Sequence, residues 1–247
     1  RGCVWGHCKF CLWVHSFIKG TVYNTRSVEN VTEEVKFVQN RLENIRSMMF
    51  QDDTMPEDRA MALSESFLKA GIRLPWSCYA RPNLSLECLK LMKKAGALNL
   101  HVGFESADRQ IIKNAKKGIT VEQMTQFAKD AKDAGVSIHG DFLFGLPGET
   151  EDTLKHTIEW AKELDPHTAQ FQLVLTYPGM DEQGGLAENE VPTFSHEDLR
   201  KWAKKAYRSF YFRPKYMFRS LMHPIDTFRG KSRVLVAALP SVLWKKW

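Results

Sequence analysis

Cysteine is scarce in this chain and unevenly placed: five in 247 residues, three of them between positions 3 and 11, and none after Cys88. A secreted disulfide scaffold spreads paired cysteines through a short chain, so that class is excluded. A metal or cluster in a reducing compartment, by default the cytoplasm, is expected instead. Long apolar runs are also missing. No stretch of about 18 uncharged apolar residues exists, so no segment is expected to span a membrane. The first residues are Cys-rich rather than apolar, unlike a signal peptide. The chain opens on Arg1 with a motif starting at residue 3, the pattern of a piece of a longer protein. Acid is nearly absent from the other end. Residues 200–247 hold 13 Lys/Arg and one acid, Asp226, whereas 1–199 hold 22 Lys/Arg against 28 Asp/Glu. An anionic partner should therefore meet the tail.

What is present is an alternation of helical and strand patterns. Val28–Leu42 follows Ser27 and places Val28, Val31, Val35 and Val38 at helical spacing. Further helices are expected over Pro56–Gly71, Ser85–Ala95, Thr120–Ala134 and Thr150–Leu164, and strands over Ile45–Gln51, Leu74–Ala80, Ala97–Phe104, Val136–Phe144 and Ala169–Thr176. Strands separated by such helices predict a parallel α/β sheet with right-handed crossovers, whose ligands bind at the carboxyl ends of the strands. From Ser195 the pattern becomes basic, aromatic and helical, so 1–194 is expected to be the core and 195–247 an extension.

The densest chemistry is Cys3-Val-Trp-Gly-His-Cys8-Lys-Phe-Cys11. Three thiolates on one short loop can hold three corners of a cubane and leave one iron open. The same cysteines with His7 or His15 could instead form a zinc site. Other candidates stand where strands are expected to end: Gln51-Asp52-Asp53, Arg81 before Pro82, Glu105-Ser106, and Gly145-Leu-Pro-Gly148-Glu149, with Tyr177-Pro-Gly179 closing the last. Acids there suit an ammonium or ribose partner, and glycines allow close backbone approach.

In that order the motifs resemble the radical S-adenosylmethionine (SAM) superfamily, over roughly residues 1–180. Its usual signature is Cys-x3-Cys-x-aromatic-Cys. Phe10 fits the aromatic position, while the first spacing here is longer by one residue. The resemblance implies a [4Fe-4S] cluster on Cys3, Cys8 and Cys11, and SAM as second cofactor. It also implies a partial (β/α)6-type barrel, its first strand lying before Arg1. Gln51, Asp52 and Asp53 would meet SAM's amino group, Arg81 its carboxylate, and Glu105 and Ser106 its ribose or methionine part. Gly145, Gly148 and Glu149 would lie on the adenine side. Phe10-Cys-Leu-Trp13, Thr25-Arg-Ser-Val-Glu29 and His139-Gly-Asp-Phe142 look like the cobalamin-associated branch, which includes lipid and natural-product enzymes. The Asp-x-His-x-x-Gly cobalamin loop is absent, so cobalamin could come only through a domain not present in this chain.

The lack of cysteine after Cys88 leaves no auxiliary cluster of the peptide-maturase type. Cys78 and Cys88 are expected to be core thiols. The expected partners are a small-molecule or lipid substrate and an electron donor such as flavodoxin or ferredoxin. Ten aromatics interleave the bases of 200–247, which suits peripheral membrane contact or packing against the barrel. The competing function is a zinc-containing nucleic-acid-binding module using the basic tail. It leaves the α/β body unexplained. No catalytic acid or base is assigned; Tyr79, His139 and Asp141 could face the barrel but are expected in supporting roles.

Overall fold

The computed structural model describes residues 2–17, 23–178, 180–187 and 194–222. Five parallel strands, β1 (Met48–Phe50), β2 (Trp76–Ala80), β3 (Ala97–Glu105), β4 (Ser137–Phe144) and β5 (Thr168–Leu173), lie side by side in chain order. Sequential order with helical connections at every step winds the sheet in one direction, the arrangement of a barrel rather than of a doubly wound sheet.

The helices form where their caps and apolar spacing dictate. They are α1 (Val28–Arg41), α2 (Glu57–Lys69), α3 (Leu86–Lys94), α4 (Arg109–Asn114), α5 (Val121–Asp133), α6 (Glu151–Leu164), α7 (His196–Tyr211) and α8 (Pro214–Met222). Ser27, Ser85, Thr120, Thr150 and Ser195 each accept a first-turn N–H with their side chain, and Thr120 with Gln123 completes a capping box. Each such cap contributes about 1 kcal/mol. The sequence pattern does not disclose α4. It is six residues long, too short for an apolar stripe, and depends on Asp108 capping the N–H groups of Gln110 and Ile111. The π-helical turn Trp13–Phe17 after the Cys-rich segment is likewise outside the pattern.

Alternation along the strands sorts two faces. Leu100, Val102 and Phe104 of β3, Ile138, Phe142 and Phe144 of β4, and Ala169 and Phe171 of β5 are buried with the apolar sides of the helices in one core. Gly140 makes room there, since a Cβ would come within 3.2 Å of the Phe104 ring. The alternate positions, among them Tyr79, His101, His139, Asp141 and Gln170, are polar and only partly buried, with Tyr79 exposed.

Helix α7 shares the core with the strands through Leu199, Ala203, Ala206 and Phe210. Its tyrosines finish the edge of β5. The Tyr211 hydroxyl accepts from the Ala169 N–H and donates to the Ala169 carbonyl, and Tyr207 accepts from the Phe171 N–H. The aromatics of the tail are thus divided. Tyr207, Phe210, Tyr211 and Tyr216 pack against the sheet side, Phe212 and Phe218 are exposed, and Trp244 and Trp247 lie outside the described residues. No helix among the described residues is long and apolar enough to cross a membrane.

Candidate functional site

Parallel strands bring all their carboxyl ends to one edge, and the Cys-bearing loop is fastened across that edge by main-chain bonds. The Gly2 N–H donates to Asp53 Oδ2 (3.0 Å), and Gly2 bridges Tyr23. The Lys9 N–H donates to Ala115 O and its carbonyl accepts from the Leu186 N–H, both at 3.0 Å. Trp5 donates its indole N–H to Lys116 O (2.8 Å) and lies so close over Gly118 that a Cβ there would stand 2.1 Å from the ring. Gly118 also has a φ of +70°, which an L side chain rarely adopts. The His15 ring bonds Cys8 O (2.9 Å) through Nε2.

Cys3 and Cys8 both lie within electrostatic reach of Cys11. Burial pushes Cys11 up to about 11, and both Cys8 and Cys3 raise it further. Burial also raises Cys8, against the opposing pull of Lys117 and Arg81. Arg81 Nη1 lies 3.8 Å from Cys8 Sγ, and its other arm donates to Lys117 O. Thiols held this way need a strong positive partner to become thiolates, which iron supplies and which Arg81 and Lys117 support. The residues therefore fit a thiolate-bound cluster. Among the described residues no three His, Cys, Asp or Glu side chains, the three cysteines included, stand grouped as for a single metal ion. His7 is exposed and its ring meets Trp5 edge-on. Cys78 and Cys88 are buried in the apolar core, as expected for packing thiols.

The strand-end residues are brought to the same edge but not all with free side chains. Asp53 is engaged by the loop, Asp52 is half-buried beside it and Gln51 is exposed. Next to them, Thr54 Oγ1 is buried without a hydrogen-bond partner. Glu105 is buried at the end of β3 and ion-paired to Lys117 Nζ at 2.9 Å. Burial raises its carboxyl while Lys117 lowers it. A bulge sets this pair: Glu105 has a φ of +65°, and its carboxylate folds back over Gly103, where a Cβ would be 2.1 Å from Oε1. Ser106 instead faces α6, its hydroxyl meeting Thr157 Oγ1 (3.3 Å) and accepting from the Asp108 N–H. It serves the turn into α4, and the structure shows no open approach to it.

After β4, Gly145 and Gly148 adopt φ of +102° and +90°. Glu149 folds back to accept from the Gly145 N–H, and its Oε1 is buried without a partner. Burial pushes its carboxyl up to about 7. Phe10 lies partly buried against Ile111, Ala115, Leu146, Val174 and Leu186, with Lys117 Nζ 5.9 Å from its ring. Tyr177 is exposed, and Gly179 lies outside the described residues. Sequence reasoning missed Lys117, whose Lys-Lys-Gly turn carries no motif, and His101, which stands in an ordinary strand.

The family model described as the Radical SAM superfamily matches residues 1–161. The chain is 32% identical over 242 residues to an uncharacterized methyltransferase of Pyrococcus horikoshii, covering 90% of this chain and 52% of that protein. It is 30% identical over 183 residues to cytidylyl-2-hydroxyethylphosphonate methyltransferase of Streptomyces wedmorensis, covering 69% and 33%. It thus spans a third to about half of these relatives. Among solved structures, the radical SAM methyltransferase TsrM from Kitasatospora setae, with cobalamin and a [4Fe-4S] cluster bound, superposes with a TM-score of 0.60 at 23% identity. That match covers 70% of this chain and 35% of that one, and the likeness is one of fold.

Proposed function

We propose that this chain, which belongs to the radical SAM superfamily, holds a [4Fe-4S] cluster through Cys3, Cys8 and Cys11 and uses it to cleave SAM reductively. The family implies both cofactors. The observation that carries the assignment to these residues is the Cys loop itself: three thiols on one short loop across the strand ends, with Cys3 and Cys8 both in electrostatic reach of Cys11 and the Arg81 guanidinium against Cys8. When bound, the cluster supplies the electron that breaks SAM's S–C5′ bond and yields a 5′-deoxyadenosyl radical.

The protein's part is to bind, orient and exclude water. Asp52 and Asp53, with Gln51, offer acceptors for SAM's ammonium, and the unpartnered Thr54 hydroxyl lies beside them. Arg81 offers a cation both to Cys8 and to SAM's carboxylate. Glu105 faces Lys117 first, so its contribution to the ribose side is to fix that lysine, with its second oxygen left for a hydroxyl. Gly145, Gly148 and the folded-back Glu149 shape the adenine side. Ser106 is left to the turn.

The substrate proposed is a small molecule, and the named activities of the two relatives favour methyl transfer as the reaction class. Cobalamin enters only through protein beyond these residues. A flavodoxin or ferredoxin is the proposed electron source. Peripheral membrane contact keeps only the exposed Phe212, Met217 and Phe218 as its support among the described residues. Because α7 belongs to the core, anionic-vesicle binding should be compared between the whole chain and a Phe212→Ser, Met217→Ser, Phe218→Ser variant of it. Equal pelleting ends the membrane reading.

The decisive experiment is anaerobic iron and sulfide analysis, with 5′-deoxyadenosine measured after dithionite reduction. The wild type should carry about four irons per chain. Cys3→Ala, Cys8→Ala and Cys11→Ala should each abolish SAM cleavage, while Cys78→Ala and Cys88→Ala keep the cluster. Iron and sulfide at wild-type levels in the triple variant would refute the assignment.

A further inference from the structure

Parallel sheets are ordinarily apolar and covered on both faces. This one has its main apolar core only on the face that meets the helices. Across its other face the strand register sets one level row: Tyr79 pairs with His101, His101 with His139, and His139 with Thr168. The rings follow the register. Tyr79 and His101 are 5.2 Å apart between centroids, edge to face, and His101 and His139 are 4.7 Å apart and tilted by 34°.

The two imidazoles differ in what holds them. His139 has both nitrogens engaged, Nδ1 with Thr168 Oγ1 (2.7 Å) and Nε2 with Gln170 Oε1 (3.3 Å) and Asp141 Oδ1 (3.4 Å). His101 has no hydrogen-bond partner at either nitrogen among the described residues, though it is half-buried between two rings. A neutral imidazole keeps one nitrogen as an acceptor, and at His101 no protein group among the described residues occupies it. That leaves an untied, fixed imidazole two layers below the strand ends.

We propose that His101 accepts a proton from a polar substrate seated on this face, with Tyr79 and His139 as positioning residues that fix its ring. The substrate's N–H, O–H or acidified C–H bond breaks, its electron pair stays on the substrate atom, and an N–H bond forms on His101. The proton leaves to water afterwards. No oxidant or reductant is involved. The row and the layer above it, Asp141 and Gln170, offer hydrogen-bonding groups, with the Tyr79 ring exposed at one end. The matching substrate is therefore a hydrogen-bonding small molecule and not an acyl chain. This deepens the radical SAM reading and rests on it only for placing the substrate beneath the strand-end site.

The charged and titratable groups facing His101 are Tyr79 from β2 and His139 and Asp141 from β4; Thr168 and Gln170 of β5 are neutral. Burial and then His139 lower His101 from its ordinary 6.5, with Asp141 opposing, so it is a neutral base at pH 7. His139 stays above its ordinary value because its bonds to Asp141 and Gln170 outweigh its burial.

The test is a diethylpyrocarbonate footprint of the reconstituted holoenzyme, read by peptide mass spectrometry across about pH 5 to 8. On histidine the reagent acylates the neutral imidazole nitrogen, so peptide mapping reads each histidine separately. His101 should react faster than His139, with a midpoint below 6.5, and His139→Gln should move that midpoint up by removing a neighbouring charge. Failure of His101 to react while the exposed His7 does would overturn the proposal. So would a midpoint at or above 6.5 that His139→Gln leaves in place. Iron is measured on the same samples: reactive His101 without iron breaks the cluster reading alone, and iron with an inert His101 breaks this one alone.

Discussion

The two faces of the sheet are made from the same strands, residue by residue, yet they answer to different demands. The helix-side face is a run of Leu, Val, Ile and Phe in which almost every side chain is fully buried. The other face, and the strand ends above it, collect Tyr79, Arg81, His101, Glu105, His139, Asp141 and Glu149. Alternation alone produces this separation, because a period of two sends neighbours to opposite sides. The first face is where stability resides. The second holds groups whose partners are few and specific, so substitutions there should change chemistry or pH response more than they change folding.

The largest effect on stability should come from the buried side. Phe142 is fully buried and in ring contact with Phe104, Trp160 and Phe171. Phe142→Ala removes the centre of that stack and should cost about 3–5 kcal/mol, measured by chemical denaturation. His139→Gln, one layer away on the opposite face, should cost far less. Equal losses would mean that the two faces are not energetically distinct.

Lys117→Met sharpens the comparison at the strand ends. It leaves the Glu105 carboxylate buried without its cation, a change worth about 3–5 kcal/mol for a buried pair. Glu105 should respond by taking up a proton, so the loss should shrink in acid. Lys117→Met with Glu105→Gln should recover much of the stability. A double variant no better than the single one would show that the pair is not the reason.

The order of elements was legible because the longer helices carry apolar stripes, most behind a capping residue, and the strands carry apolar residues at alternate positions. Ser27, Ser85, Thr120 and Thr150 mark helix starts in the sequence as they do in the structure. Local patterns do not tell which strand-end side chains will be spent on one another. Glu105 and Lys117 are 12 residues apart and meet only through a bulge at Gly103 and the turn after α4. Ser106 carries the right chemistry for a ligand but is turned toward Thr157 by the same bend. The His101–His139 contact depends on inter-strand register, which no single strand encodes.

Glu149 offers a smaller effect with a defined sign. Its carboxyl ordinarily titrates at 4.5 and is pushed up to about 7 by burial, so the folded protein holds the proton more tightly than the unfolded chain. Stability contributed by that proton is present below 4.5 and lost as pH rises through 7, to an extent of about 3 kcal/mol. Glu149→Gln keeps an acceptor for the Gly145 N–H and removes the titration. Between pH 5 and 8 its stability should stay flatter than that of the wild type. A parallel pH dependence in the two proteins would count against the buried placement of Glu149.

The smallest effect tests the boundary of the buried side, where β5 would otherwise present a bare edge. The Tyr211 hydroxyl serves both the N–H and the carbonyl of Ala169, at 2.9 and 2.8 Å, while Tyr207 serves the N–H of Phe171. Tyr211→Phe keeps the ring, which meets Tyr216 edge-on at 4.9 Å and stacks on Tyr207 at 6.2 Å, and removes only the hydrogen bonds. The expected loss is about 1 kcal/mol, a fall in Tm of about 2–4 °C for a chain of this size. Local exchange separates this from a general loosening. The Ala169 amide should lose protection against deuterium in Tyr211→Phe while the Phe171 amide keeps it, and Tyr207→Phe should do the reverse. If both amides open together in either variant, α7 is holding the edge by packing and the hydroxyls are incidental.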